Sequence, residues 1–343
     1  MPKVNVLVAG STGYIGVQLI KLLVKHSKIK VKYLCGNTSV GKNISSYDKS
    51  LRFKELPKII KFHKKLLNDI DVIFTALPNG EAQDISKYLL KKNTLIDLAA
   101  DFRLEKASDY LKWYKKKHRA QNLISKSIYA LPEITGKDIC GFKIIGCPGC
   151  YPTSILLPLI PLIKKKFLKW DNLIVDSKSG YSGAGRGVHK KYKDYNLYES
   201  LSPYGIGFHR HNSEIEQMIR KYNKHKLIFT FTPHLSPMVR GILSTIYVDL
   251  NKGITINNLH NELVKFYKKS VFVKVQKQNT LISTNDVINT NNCLISICKS
   301  KYKNKAVIIS SIDNLIKGGA GQAIQNMNIL YNFNVKEGLI WEV

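Results

Sequence analysis

Val4-Asn5-Val6-Leu7-Val8-Ala9 runs directly into Gly10-Ser11-Thr12-Gly13-Tyr14-Ile15-Gly16, and the chain continues Val17-Gln18-Leu19-Ile20-Lys21-Leu22-Leu23-Val24. The first six residues are apolar around a single asparagine, which suits a buried strand. The last eight repeat apolar side chains at helical spacing. Strand, glycine turn and helix in that order open a βαβ unit that binds a dinucleotide. Gly10 permits the tight turn, Gly13 lets the backbone approach a pyrophosphate, and Gly16 allows close helix packing, with the helix N-terminus facing the phosphates. The spacing is G-x-x-G-x-x-G rather than G-x-G-x-x-G. The whole turn, including Ser11, Thr12, Tyr14 and Ile15, is the candidate phosphate cradle.

Further strands read at 30–35, 71–77 and 94–99, with lysine-rich amphipathic helices expected between them. That alternation implies a parallel sheet with helices on both faces. The second strand ends in Cys35-Gly36-Asn37-Thr38-Ser39. An NAD site normally carries an acidic residue there for the ribose 2′-hydroxyl. None is present, and Asn37, Thr38 and Ser39, with Lys42 close behind, are donors suited to a 2′-phosphate. NADP is therefore expected over NAD. After residue 150 the pattern changes. Strand-like runs at 172–176, 227–231, 242–250, 271–275, 293–298 and 306–312 follow with fewer helices between them, which predicts a mostly antiparallel sheet. Helices are expected at 153–168, 212–223 and 257–269, and one more over 318–331. The fold class is α/β, a Rossmann-like nucleotide-binding domain, followed by an α+β substrate and oligomerisation domain.

A chain of 343 residues accommodates two domains. The net charge of +30 invites a nucleic-acid reading. Against it, the lysines spread along the whole chain, arginine is scarce and no arm or finger motif occurs. The charge reads as a solvated surface that helps attract an anionic substrate and cofactor. No stretch approaches the ~20 apolar residues of a membrane helix. The first apolar run is short and ends in a glycine turn, unlike a signal peptide. A cytoplasmic protein is expected, without membrane or nucleic-acid partners. The six cysteines are scattered, as in a reducing compartment. Cys147 and Cys150 form a C-x-x-C, but no second ligand pair stands at zinc spacing, and no metal is expected.

Three constellations carry chemistry. In Gly146-Cys147-Pro148-Gly149-Cys150-Tyr151-Pro152-Thr153, Cys150 stands where the chain enters an apolar helix, and positive potential at a helix N-terminus favours a thiolate. Cys147 reads as a buried structural thiol. In His209-Arg210-His211-Asn212-Ser213-Glu214, either histidine is a candidate acid/base for that thiol. The histidines at 26, 63, 118, 189, 225 and 260 read as surface or packing residues. In Ser179-Gly180-Tyr181-Ser182-Gly183-Ala184-Gly185-Arg186, a glycine-rich loop ends in an arginine suited to anion capture.

With these pieces in hand, the chain resembles the N-acetyl-γ-glutamyl-phosphate reductases of arginine biosynthesis nearly end to end. The resemblance is carried by G-S-T-G-Y-I-G (10–16), D-L-A-A-D-F-R-L (97–104), A-L-P-E-I (130–134), P-G-C-Y-P-T (148–153), S-G-Y-S-G-A-G-R (179–186), H-R-H-N-S-E-I (209–215), F-T-P-H-L-S-P-M-V-R-G (231–241) and I-D-N-L-I-K-G-G-A-G-Q-A-I-Q-N-M-N (312–328). It implies a semialdehyde dehydrogenase-like fold whose C-terminal helix returns to the nucleotide domain, hence domains at 1–149 plus 316–343 and at 150–315. It implies a homodimer or homotetramer. It also implies NADPH-dependent reduction of N-acetylglutamyl 5-phosphate to the semialdehyde through a thioester on Cys150, with phosphate released. His211 or His209 is the acid/base. Arg103, Arg186 and Arg240 are candidates for the phosphate or α-carboxylate, and Glu214 stands with them at the substrate or orients a histidine. Ser182, Gly183 and Asn314 join the cofactor set. Two departures stand out. Cys147 replaces a usual asparagine, which in related dehydrogenases contacts the cofactor or reacting centre, and Gly319 replaces a usual alanine. The rival readings are an aspartate-semialdehyde dehydrogenase-type enzyme and, from another class, a basic nucleic-acid-binding module.

Overall fold

A computed structural model of the chain describes residues 3–186, 199–223 and 227–340. They divide into two compact units, one of Met1–Pro148 with Gly319–Val343 and one of Gly149–Gly318.

The strands of the first unit are β1 (Val4–Ala9), β2 (Ile29–Cys35), β3 (Ile59–Ile60), β4 (Val72–Thr75), β5 (Thr94–Asp97), β6 (Ser127–Tyr129) and β7 (Ile144–Gly146). They form one sheet in the order β3-β2-β1-β4-β5-β7-β6, and every neighbouring pair is parallel. β1 has a neighbour on each side and is buried along its length except at Asn5, which is why it reads as a continuous apolar run. The winding reverses between β1 and β4, and ligands of such sheets bind outside the strand ends at that switch point.

Helix α1 (Tyr14–Leu23) follows β1. The amphipathic helices expected between β2 and β4 do not form. That stretch carries only short 3-10 turns at Ile44–Ser46, Lys49–Leu51 and Lys64–Asp69. It is rich in Ser, Asn and Asp, whose side chains compete with the helical ladder, and in Gly, which is costly to order in a helix. Asp48, for example, accepts from both the backbone and the hydroxyl of Ser50. The later helices α2 (Glu81–Ser86), α3 (Ala107–Tyr114) and α4 (Pro132–Thr135) are short. Asp101 caps α2 from a distance, accepting from the Gly80 N–H at 2.7 Å and the Ala82 N–H at 3.0 Å. Thus the acidic motif at 97–104 builds a loop, and its carboxylates are held by backbone donors.

In the second unit, α5 (Cys150–Lys164) is buried from Tyr151 through Ile163, as expected of a helix apolar on all sides. Among the described residues the other α-helices of this unit are α6 (His211–Tyr222) and α7 (Ile256–Tyr267). The strands are β8 (Leu173–Gly180), β9 (Ser202–Pro203), β10 (Phe229–Ser236), β11 (Ile242–Asp249), β12 (Val273–Val275), β13 (Cys293–Lys299) and β14 (Lys305–Ile312). Their order is β12-β13-β14-β11-β8-β10-β9. Four neighbouring pairs are antiparallel and two, β8 with β10 and β12 with β13, are parallel. The sheet is therefore mixed with an antiparallel majority, because α6 lies between β8 and β10 in sequence and supplies the crossover that a parallel pair needs. Burial alternates along β8 and β11, so one sheet face is covered and the other is open.

The C-terminal helix α8 (Gly321–Leu330) belongs to the first unit and packs on α1, α4 and β5. It is entered through a π-turn at Ile316–Ala320, which contains Gly319. Asn328 on α8 meets the buried His26 ring at 2.9 Å. His118 bonds the Asp101 carbonyl, His63 caps a 3-10 turn and His260 meets the Gln276 carbonyl, all structural roles. His189 and His225 lie outside the described residues.

Candidate active site

The glycine turn of the first unit has the shape its sequence predicts. Gly10 has φ +82°, and a Cβ there would overlap the Ala76 carbonyl. A Cβ on Gly16 would strike the Gly10 carbonyl, so α1 can press against the turn only because both are glycine. Gly13 differs. A Cβ on it would meet only the Gly10 oxygen, at 3.7 Å, so its outer face is open. Gly13 is also the N-cap of α1 and contributes no side-chain cap, which suits an anion at the helix start. Ser11 faces inward, its hydroxyl donating to the Cys35 carbonyl at 3.1 Å, while Thr12, Tyr14 and Ile15 are half-buried around the turn.

A cavity of about 210 Å³ opens beside this turn, lined by Gly10, Gly36, Asn37, Lys61, Phe62 and Leu77 among others. Asn37 and Thr38 are exposed at the end of β2. Ser39, expected with them, is buried, and its hydroxyl accepts from Tyr47 at 2.6 Å. Ser39 therefore shapes the loop, and Lys61, which sequence reasoning missed, is the cation at the cavity wall. Lys61 stands far from the glycine motif in sequence and reaches it only through the pairing of β2 with β3.

Cys147, just after β7, is a packed thiol. It is 1 % exposed, burial pushes its thiol up to about 12, and its sulfur accepts from the Asn326 amide at 3.6 Å. Arg103, a candidate for the substrate's phosphate or carboxylate, is 7 % exposed. It donates from Nε to the Cys147 carbonyl at 2.7 Å and from Nη2 to the Leu98 carbonyl at 3.0 Å. It thus fixes the backbone two residues before Gly149. Because Cys147 fills its site as a neutral thiol, Cys147→Asn is expected to fold and to keep or raise turnover, read as NADPH oxidation with the acyl phosphate.

The second unit opens with the turn that presents Cys150. Gly149 is the N-cap of α5 and Cys150 its first residue, only partly buried. The Gly149 N–H donates to Glu214 Oε2 at 2.9 Å, and Thr153 Oγ1 donates back to the Gly149 carbonyl at 2.9 Å. The His211 ring lies so close to Gly149 that a Cβ there would overlap its Nε2. On the other side, a Cβ on Gly318 would come within 2.7 Å of the Cys150 Cβ. Two glycines thus flank the sulfur-bearing residue. Pro152 has no N–H, and the Thr153 N–H is engaged by the Gly149 carbonyl at 3.0 Å.

The two histidines have different surroundings. His209 sits in an aromatic box, with the rings of Tyr151, Tyr204 and Phe231 at 5.6, 5.4 and 5.5 Å. Burial first, and the Arg210 cation second, lower it to about 4, so it is neutral at neutral pH. Its Nδ1 accepts the His211 N–H at 3.2 Å, which leaves the proton on Nε2. His211 is buried beside Gly149, with Nε2 at 3.8 Å from Glu214 Oε1.

The remaining expected ligands divide. Arg186 is exposed at the end of its loop. Arg240 is held by Asp313 at 3.2 Å and by Asn289 at 2.6 Å, so it braces the turn below β14. Asn314 joins the 179–186 loop to that turn, donating to Ser182 Oγ at 3.0 Å and accepting the Gly241 N–H at 2.7 Å. Gly183 beside it is exposed. His234 pairs with Asp176 at 3.1 Å on the open sheet side.

Comparison with known proteins agrees with both units. The family model described as semialdehyde dehydrogenase, NAD binding domain, matches residues 5–142, and that described as semialdehyde dehydrogenase, dimerisation domain, matches residues 150–314. Among solved structures, aspartate semialdehyde dehydrogenase II from Vibrio cholerae superposes with a TM-score of 0.71 at 14% identity, covering 97% of this chain and 99% of that one. The Candida albicans aspartate semialdehyde dehydrogenase with NADP gives 0.69 at 18%, covering 97% and 99%. At these identities the likeness concerns the fold. In sequence, the chain is 43% identical to N-acetyl-gamma-glutamyl-phosphate reductase of Brachyspira hyodysenteriae, over 98% of each protein. It is 42% identical to that of Clostridium beijerinckii, again over 98% of each. It is 39% identical to the probable chloroplastic reductase of Arabidopsis thaliana, over 96% of this chain and 82% of the relative. A glycine cradle, a helix-entry cysteine and a histidine-glutamate pair, carried by a chain this similar over its whole length, place the protein in the N-acetyl-γ-glutamyl-phosphate reductase family.

Proposed function

We propose that this protein reduces N-acetyl-L-glutamyl 5-phosphate to N-acetyl-L-glutamate 5-semialdehyde and phosphate, through a thioester on Cys150, as a step of arginine biosynthesis. The observation that carries the chemistry is the Gly149–Cys150 turn, with a half-open thiol at a helix start and His211 packed against it.

Positive potential at the start of α5 favours the Cys150 thiolate. The sulfur attacks the acyl carbon as His211 accepts the thiol proton. The backbone N–H groups of Cys150 and Tyr151 are the donors for the oxyanion. Collapse breaks the bond to phosphate and leaves the thioester. NADPH, when bound, supplies the hydride that reduces it. The thiohemiacetal on Cys150 then breaks its C–S bond, and His211 returns the proton to sulfur. Sulfur suits both ends of this sequence, being a good nucleophile and a good leaving group. His209, neutral and boxed by aromatic rings, accepts the backbone N–H of His211 and so holds the chain at the start of α6.

The cofactor fits the first unit. The open face of Gly13 and the α1 N-terminus suit its pyrophosphate. The cavity with Asn37 and Lys61 suits the adenosine end and a 2′-phosphate. Arg186 is the exposed arginine for the phosphate or carboxylate of the substrate. We assign the open face of the second sheet, where Ile174 and Tyr247 are exposed, to a homodimer contact, from which a tetramer could build. Among the described residues no helix is long and apolar enough to cross a membrane, and the cysteines are free thiols, in keeping with a cytoplasmic enzyme.

The test is the reverse reaction, with phosphate, oxidised cofactor and aldehyde. N-acetylglutamate 5-semialdehyde with NADP⁺ is expected to exceed both aspartate semialdehyde and NAD⁺ by at least about 100-fold in kcat/KM, the scale on which a site discriminates by polar contacts. Equal rates with aspartate semialdehyde would overturn the substrate assignment.

A further inference from the structure

We infer that Lys61 is the residue by which this protein tells NADPH from NADH, meeting the 2′-phosphate from the end of β3 rather than from the loop after β2. This rests on the reading of the cavity beside the glycine turn as the adenosine end of the cofactor site. Three parallel strands bring the residue there. The Gly10 N–H donates to the Cys35 carbonyl at 3.0 Å, and the Gly36 N–H donates to the Ile60 carbonyl at 3.1 Å. The ends of β1, β2 and β3 are thus stepped side by side, and the residue after Ile60 emerges beside Gly36. Lys61 is exposed at that point and lines the same cavity as Gly10, Gly36 and Asn37.

The loop after β2 spends its own candidates on its shape. The Ser39 hydroxyl is engaged by Tyr47. Lys42 belongs to the stem of the loop, its carbonyl accepting the Ile59 N–H at 3.0 Å and its N–H donating to the Ser39 carbonyl at 3.2 Å, and it does not line the cavity. Among the described residues that do, Lys61 is the only cation, and the acids are Glu81 and Asp84 of α2. Asp84 is paired with Arg119 and, at 3.1 Å, with Lys87. Burial first, and then the Asp101 and Asp84 carboxylates, raise the Glu81 carboxyl. A phosphate dianion is therefore repelled from the α2 wall and drawn to the β3 wall. An ammonium suits it there as a point charge, with the Asn37 amide as a neutral donor. Phe62, Leu77 and Ile85 supply apolar surface for the adenine ring. A lysine beside the edge strand β3 can also serve only to keep that edge from pairing, but such a task treats NADPH and NADH alike.

Titration of the full chain with NADPH and with NADH, followed by nicotinamide fluorescence in the absence of acyl phosphate, tests this apart from turnover. The wild type should favour NADPH. Lys61→Ala is expected to weaken NADPH binding about 10–100-fold, the scale of one hydrogen bond to a charged group, and to leave NADH binding within about twofold. Lys61→Arg keeps the charge and should hold the preference within about threefold of wild type. Added salt should weaken NADPH binding more in the wild type than in Lys61→Ala. Equal affinities in the wild type, or an unchanged ratio in Lys61→Ala, would overturn the inference. So would an equal loss of both cofactors, which would make Lys61 a structural residue. Hydrogen exchange separates this failure from that of the underlying reading. NADPH is expected to protect the amides of 36–42 and 59–62. Protection there with an unchanged ratio would sink the role of Lys61 alone. No protection would move the adenosine end elsewhere and take the inference with it.

Discussion

Cys150→Ser is expected to reduce turnover at least about 10⁴-fold, the scale seen when a catalytic nucleophile is lost, with NADPH binding unchanged. The reason lies in what the atom must do twice. It must attack an acyl phosphate at neutral pH, and it must leave from carbon when the aldehyde forms. A serine hydroxyl at the same helix start is scarcely ionised and is the poorer leaving group. The first half of the reaction would slow and any ester formed would resist reduction. Phosphate-dependent reduction of NADP⁺ by the semialdehyde measures the loss, and quenching of nicotinamide fluorescence checks that the first unit still binds cofactor. Cys147→Ser is the control, since that thiol is fully packed and held protonated by burial. Comparable damage from both variants would show that the C-x-x-C acts as a pair.

Gly149→Ala should be nearly as harmful, although it touches no reacting atom. The Gly149 backbone, with φ −67° and ψ 162°, is one that alanine adopts freely. The cost comes from space. The added methyl would overlap His211 Nε2 and stand 2.8 Å from two of its ring carbons. Either the imidazole swings away from the sulfur or the turn moves and breaks its bond to Glu214. A misplacement of about 1 Å between acid/base and nucleophile costs on the order of 10²-fold in rate. Overpacking of this kind lowers stability by about 1–3 kcal/mol. Both effects are expected together, in a steady-state assay and a chemical denaturation curve. Wild-type turnover in this variant would mean that His211 need not lie where the structure places it.

Much of this molecule is legible along the chain. Strand, glycine turn and helix at 4–24 form as read, because the apolar run suits a strand with neighbours on both sides and the three glycines meet local backbone demands. Cys150 at a helix start is likewise a local matter, set by the Pro-Gly before it and the apolar run after it. Less is legible where a residue's surroundings depend on distant partners. The lysine-rich stretch between β2 and β4 has helical-looking charges, but its serines, asparagines and glycines favour turns. Arg103 and Arg240 look like anion ligands in a sequence. The fold gives the first to backbone carbonyls and the second to Asp313 and Asn289.

The sequence by itself determined the two-part architecture, the glycine turn between strand and helix and the place of Cys150 at a helix entry, because each is written in residues close together and in backbone preferences that need no other partner. Only the tertiary structure gives the two candidate histidines different surroundings. His209 and His211 are chemically identical and two residues apart, yet aromatic burial neutralises one while the other meets Gly149 and Glu214 across 62 and 3 residues of chain, a difference that long-range packing alone creates.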